Sequence, residues 1–216
     1  MRKTIREGVF GSALVRLVQE GNRYAGAVIR DKEVIATFRG NDEDDLWRQL
    51  REKAAATDPS FFGYDGARAR FLRIFPEGFE DPKYLAKERG YKVNAKERLD
   101  AAAPLDLALT ASGLGEAVLS AFRRMNLLSP YESTRIQDVL RGPSADAYIR
   151  GVAKFTAGDG EAGLIEMERA LKPQGVANWV AATYLPFLWA PERHMFLKPE
   201  VTKEFAARVG HQFAGD

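Results

Sequence analysis

The sequence predicts an α+β protein: a small N-terminal three-stranded antiparallel meander with a covering helix, followed by a mostly helical body of about seven short helices. Three observations predict it. Residues 13–39 hold β-branched runs separated by turn residues. An apolar stripe at helical spacing follows. From residue 61 onward, most segments open on a helix-start signal.

Ala13 to Gln19 mixes polar Arg16 and Gln19 with apolar Leu14, Val15, Leu17 and Val18. Glu20-Gly21-Asn22 is a turn, since Gly and Asn tolerate positive φ. Tyr24 to Arg30 is the second strand, Asp31-Lys32 the second turn, and Val34 to Arg39 the third strand. Three strands with one apolar face need a cover. Leu46, Trp47, Leu50 and Ala54 supply it on a helix running to about Ala56, capped by Asn41 or Asp42. Thr57-Asp58-Pro59-Ser60 ends this unit. The expected division is therefore a β-β-β-α module over 1–58 and a helical body over 59–216.

In the body, 69–75 reads two ways. Arg68, Arg70 and Arg73 fit an exposed strand, and Ala67, Phe71, Ile74 and Phe75 fit a helix face. Asp81-Pro82 starts a helix with Pro at its first position, passing Gly90 to Leu99. Pro104 opens a shorter one. Gly113 to Gly115 is a break, followed by a helix over Glu116 to Met125. Ser129-Pro130-Tyr131-Glu132 is a capping box. Gly142-Pro143-Ser144 precedes a helix to Phe155, and Asp159 caps another to Leu171. The last two helices run from about Val176 to Leu188 and from Pro199 to Val209. Ala147 to Pro173 resembles one tetratricopeptide repeat, with Ala153, Gly158 and Ala170 in place. No repeat period extends beyond it.

Composition narrows the function classes. A chain of 216 residues with 45% hydrophobic and 29% charged residues builds a globular core rather than a disordered tail. The longest apolar stretch, Val176 to Ala190, is broken by Asn178, Thr183 and Pro186, so no membrane span and no membrane partner is expected. The basic start lacks an apolar run before Glu7, unlike a secretory signal. The absence of cysteine excludes disulfides, thiolate metal sites and a Cys nucleophile. A cytoplasmic location is the expectation. The net charge of +2 and pI near 8.8 permit a local basic face without demanding one.

No cofactor signature is present: no Walker loop, no dinucleotide Gly-x-Gly-x-x-Gly and no Gly-x-Ser-x-Gly elbow. Gly113-Leu114-Gly115 is too short to count. Asp42-Glu43-Asp44-Asp45 reads as a first helical turn complementing the helix dipole rather than a cation site. His194 and His211 lack partner ligands at metal spacing, so no metal is expected.

Two constellations remain. Arg68, Arg70 and Arg73 stand among Phe61, Phe62, Tyr64, Phe71 and Phe75, the mixture that contacts phosphates and stacks on bases. The competing reading makes them the solvated side of an amphipathic element. The second is the tail from Trp179 to Pro199, dense in aromatics and prolines. Pro191 and Pro199 restrict the loop between them. Met195, Phe196 and Leu197 anchor it, leaving Arg193, His194 and Lys198 free to present donors to an anion.

Several pieces of the C-terminal half resemble an uncharacterised bacterial protein family associated with restriction and DNA-metabolism neighbourhoods. They are Asn126-Leu127-Leu128-Ser129, Trp179 with Thr183-Tyr184-Leu185-Pro186-Phe187-Leu188, Pro191-Glu192-Arg193-His194-Met195-Phe196-Leu197-Lys198-Pro199, and Phe205 to Phe213. Tyr24-Ala25-Gly26-Ala27-Val28-Ile29 of the meander resembles the same family. The resemblance implies no catalytic residue, and it implies a chain continuing past Asp216. The leading functional expectation is a non-enzymatic binding or accessory protein contacting DNA, RNA or a nucleic-acid enzyme. The alternatives are a protein-interaction adaptor with a helical binding surface and an enzyme with a scattered site using His194 as acid–base. Oligomeric state is left open.

Overall fold

The computed structural model describes residues 2–122, 127–211 and 213. Arg123–Asn126 lie outside that set, and with them the expected end of the helix from Glu116 and the Asn126 of the family-like segment. Gln212 lies outside it as well.

The N-terminal sheet is antiparallel and has four strands, not three: β1 (Arg2–Phe10), β2 (Ala13–Glu20), β3 (Arg23–Arg30) and β4 (Glu33–Gly40), in that spatial order. The missed strand is β1. Its alternation is broken by a bulge between Thr4 and Arg6, which leaves Ile5 without a partner on β2. In addition, the inward position opposite Leu17 is held by Arg6, a charged residue where a strand pattern calls for an apolar one. Arg6 is accommodated because its guanidinium lies 2.7 Å from both Glu43 and Asp44. The hairpin turns are two residues long. Gly21 opens one at φ 64°, and Asp31 and Lys32 both adopt positive φ in another.

Helix α1 (Glu43–Ala55) covers one face of the sheet. Asp42 caps it by accepting from the Asp45 backbone N–H at 2.7 Å. Leu46, Leu50 and Ala54 pack against Phe10, Ala13, Val15, Leu17 and Val28. Each fully buried leucine contributes about 1.5–3 kcal/mol. Gly26 lets the helix approach, since a Cβ there would stand 2.1 Å from Leu50 Cδ1.

After α1 the described residues hold ten α-helical segments rather than about seven: α2 (Gly63–Ile74), α3 (Pro82–Tyr84), α4 (Gly90–Ala102), α5 (Leu105–Ala108), α6 (Gly115–Phe122), α7 (Pro130–Arg141), α8 (Ala145–Ala157), α9 (Gly160–Leu171), α10 (Trp179–Trp189) and α11 (Pro199–Arg208). Two causes account for the difference. The ambiguous segment folds as α2, where Phe71 and Phe75 sit one turn apart with ring centroids at 5.3 Å. The helix expected from Pro82 onward is interrupted by a π-helical turn over Leu85–Arg89, separating α3 from α4.

The chain forms two compact units. One comprises the residues up to Pro76 together with those from Pro199 on; the other is Glu77–Lys198. The expected 1–58 module lies inside the first. The second has its own core, in which Leu99, Val118, Leu119, Phe122, Ile136, Tyr148, Met167, Tyr184 and Leu188 are buried together. No described helix is long and apolar enough to cross a membrane.

Candidate functional site

The site is built from α10 upward. Asn178 caps the helix, accepting from Ala181 N–H at 3.0 Å. Nine of its eleven residues are buried, so it forms the spine of the second unit. It ends at Trp189, whose indole donates to Ala103 O at 3.0 Å. Lys96 of α4 donates to Trp189 O at 2.7 Å, satisfying a carbonyl of the last turn. These two bonds fix the end of α10 beside α4.

Between them lies a cleft of about 590 Å³, open to solvent on one side. That volume is in the range of ligand sites, roughly 300–1000 Å³. Phe79, Tyr84, Val93, Phe187, Leu188 and Pro191 supply its apolar lining. Phe79 is 64% exposed and Val93 42%. The rim is charged: Glu88, Arg89, Lys92 and Lys96 on the helical side and Glu192 on the other. Arg89 is 3.6 Å from Glu80, Lys92 3.9 Å from Glu88, and Arg193 3.8 Å from Glu192. All three separations exceed hydrogen-bonding distance, so the polar atoms of these pairs retain capacity for another partner. Glu88 and Arg89 belong to the π-helical turn, a departure from regular helix that recurs at functional sites.

The predicted site residues fall in both units. Arg68, Arg70 and Arg73 are exposed on α2 in the first unit. Their helical spacing divides them: Arg70 and Arg73, three apart, are neighbours, whereas Arg68 points to another side. Arg70 lies over the Phe62 ring, 4.2 Å from its centroid.

Arg193, His194 and Lys198 belong to the second unit. The backbone N–H groups of Arg193 and His194 both donate to Ala190 O, at 3.0 and 2.9 Å. Leu197 N–H donates to Thr183 Oγ1 at 2.9 Å. The loop between the two prolines is therefore tied down at both ends. Its three donors do not converge. Arg193 is exposed beside Glu192. His194 packs on Phe155 at 5.3 Å with Nε2 3.3 Å from Thr156 O. Lys198 sits 5.8 Å from the Phe196 ring centroid.

His211, in the first unit, stacks edge-on against Tyr64, with Nδ1 3.2 Å from Arg51 Nη1. The carboxylates of 42–45 are engaged locally: Glu43 and Asp44 on Arg6, and Asp45 on Arg48 and Gln49. The Arg48 hydrogen bond, with Gln49 adding to it, lowers the Asp45 pKa below the ordinary carboxylate value. Among the described residues no three His, Asp or Glu side chains gather as a metal site.

The cleft residues on α3 and α4 escape sequence reasoning. Their one visible trace is Arg89, Lys92 and Lys96 at i, i+3 and i+7, a spacing shared by any solvated helix face. No family model, curated protein or solved structure matches the chain.

Proposed function

We propose that the protein is a non-enzymatic binding protein, an interaction adaptor whose helical unit captures a segment of another protein in the cleft beside α4 and α10. The observation that carries this reading is the exposure of Phe79 and Val93 in a cleft whose walls are held by the Lys96 and Trp189 hydrogen bonds. Exposed apolar surface in a concave, rigid setting with a polar rim is the anatomy of a recognition groove. The rim carries both signs, which suits a peptide with its mixed side chains better than a phosphate backbone. His194 supports binding over acid–base work, because its ring is packed on Phe155 and directed at a main-chain carbonyl.

The test is selection of a phage-displayed random peptide library on the immobilised full chain and on Val93→Arg. Peptides with apolar anchors are expected to enrich on the first and not on the second. Equal enrichment on both, or none on either, contradicts the reading.

A second reading rests on Arg70. Its guanidinium lies over Phe62 beside Arg73, giving a small exposed cationic and aromatic patch suited to phosphate and base contact. This patch supports nucleic-acid contact by the first unit, independent of the cleft.

A further inference from the structure

The sheet is covered by α1 on one face. The other face departs from the polar pattern that a solvated antiparallel sheet normally shows. The strand register aligns its outward side chains in rows. One row crosses all four strands: Val9 opposite Leu14, Leu14 opposite Ile29, Ile29 opposite Val34. Val9 and Val34, at its two ends, are 62% and 58% exposed. Ile35, left out of register by the bulge in β4, adds further exposed apolar surface beside the row. The next rows add Ala27 beside Arg16, and Val18 beside Ala25.

We propose that this face is an interface between two copies of the chain, stacked sheet on sheet about a two-fold axis parallel to the strands. Such an interface requires a patch complementary to itself. The row meets that requirement. A rotation about the strand direction exchanges β1 with β4 and β2 with β3. Val9 of one copy then lies over Val34 of the other, and Leu14 over Ile29, so every position of that row meets an apolar one. In the next row Arg16, ion-paired with Glu7 on its own sheet, comes over Ala27. Charge follows the same operation. Glu7 on β1 comes over Thr37 on the β4 of the second copy, with Arg39 two residues further along that strand. Two sheets stacked in this way pack about 10 Å apart at about −30°.

The area sets the strength. Four strands at about 4.8 Å, by three rows at about 6.8 Å, project roughly 400 Å² per copy. A standard interface buries roughly 800 Å² per partner. The dimer is therefore weak and forms only at high protein concentration.

Sedimentation equilibrium of the full chain, from micromolar to millimolar, tests this. The expected result is a monomer–dimer equilibrium with a dissociation constant weaker than about 1 µM. Val9→Lys and Val34→Glu, both at exposed positions, are each expected to weaken it at least tenfold. The double variant Val9→Lys/Val34→Glu places opposite charges across the two-fold and restores association. Circular dichroism establishes that each variant is folded. A chain that stays monomeric at millimolar concentration overturns the proposal. So do single variants that dimerise like the parent, or a double variant no better than the singles.

Discussion

Lys96 and Trp189 hold the two walls of the cleft at a fixed spacing: the ammonium donates to the last carbonyl of α10 at 2.7 Å and to Asp100 at 2.9 Å. A cation at a helix C-terminus meets orphan carbonyls and the negative end of the dipole. Lys96→Met keeps the aliphatic stem and removes both bonds. The side chain is partly exposed, so the expected cost is about 1 kcal/mol. Chemical denaturation measures it, and a variant as stable as the parent removes the bond from the account.

Gly163 marks a tight crossing of α8 and α9 in the second unit. A Cβ there would stand 2.5 Å from Phe155 N and 2.7 Å from Gly151 O. These are backbone atoms, so α8 and α9 must separate to admit a methyl. Gly163→Ala is expected to cost about 1–3 kcal/mol. Gly160, at the start of the same helix, has open space around it. Gly160→Ala should therefore be neutral or stabilising by up to about 1 kcal/mol. Thermal unfolding of the pair distinguishes the sites.

Burial pushes the hydroxyl pKa values of Tyr148 and Tyr184 well above the ordinary tyrosine value. A raised value means the folded state resists ionisation. The associated stability is fully present below the unfolded value, about pH 10, and is lost as the pH climbs beyond it. Tyr148 donates to Ala181 O at 2.9 Å, whereas the Tyr184 hydroxyl has no hydrogen-bond partner among the described residues. Tyr184→Phe is expected to leave neutral-pH stability unchanged or slightly higher and to extend the alkaline limit. Tyr148→Phe should cost about 1 kcal/mol at neutral pH. A strongly destabilised Tyr184→Phe would reveal a partner for that hydroxyl.

If α2 contacts nucleic acid, helical spacing decides which arginines matter. Arg70→Ala with Arg73→Ala should weaken binding and shallow its salt dependence, because each phosphate contact releases counterions. Arg68→Ala, on another side of the helix, should do neither. Gel shifts at low and high salt read both. Loss of binding in Arg68→Ala alone would reverse the assignment.

Local chemistry made much of the fold readable. Ser129 and Glu132 form the reciprocal capping box their spacing implies, and Asp81 caps α3 ahead of Pro82. Asp42 caps α1, and Leu46, Leu50 and Ala54 are its buried stripe. The sheet's first strand was hidden because Ile5 breaks the alternation and Arg6 points inward, stabilised by Glu43 and Asp44 far along the chain. The π-helical turn at Leu85–Arg89 leaves no sequence mark, since Gly90 alone does not specify it. The cleft was equally hidden. Its walls come from residues 79–96, which no sequence signal sets apart, and from 187–192 within the aromatic tail, whose pairing with α4 only the fold shows. Of the tail, Phe187, Leu188, Pro191 and Glu192 reach the cleft, while the three donors Arg193, His194 and Lys198 point apart.

The central claim is that the cleft beside α4 and α10 binds a peptide segment. Hydrogen–deuterium exchange of the full chain, with and without the peptide most enriched in the library selection, tests it most directly. Slowed exchange confined to 85–96 and 187–192 is the predicted result. Protection centred instead on the sheet at 13–40 or on α2 at 63–74, with the cleft segments unchanged, would contradict it.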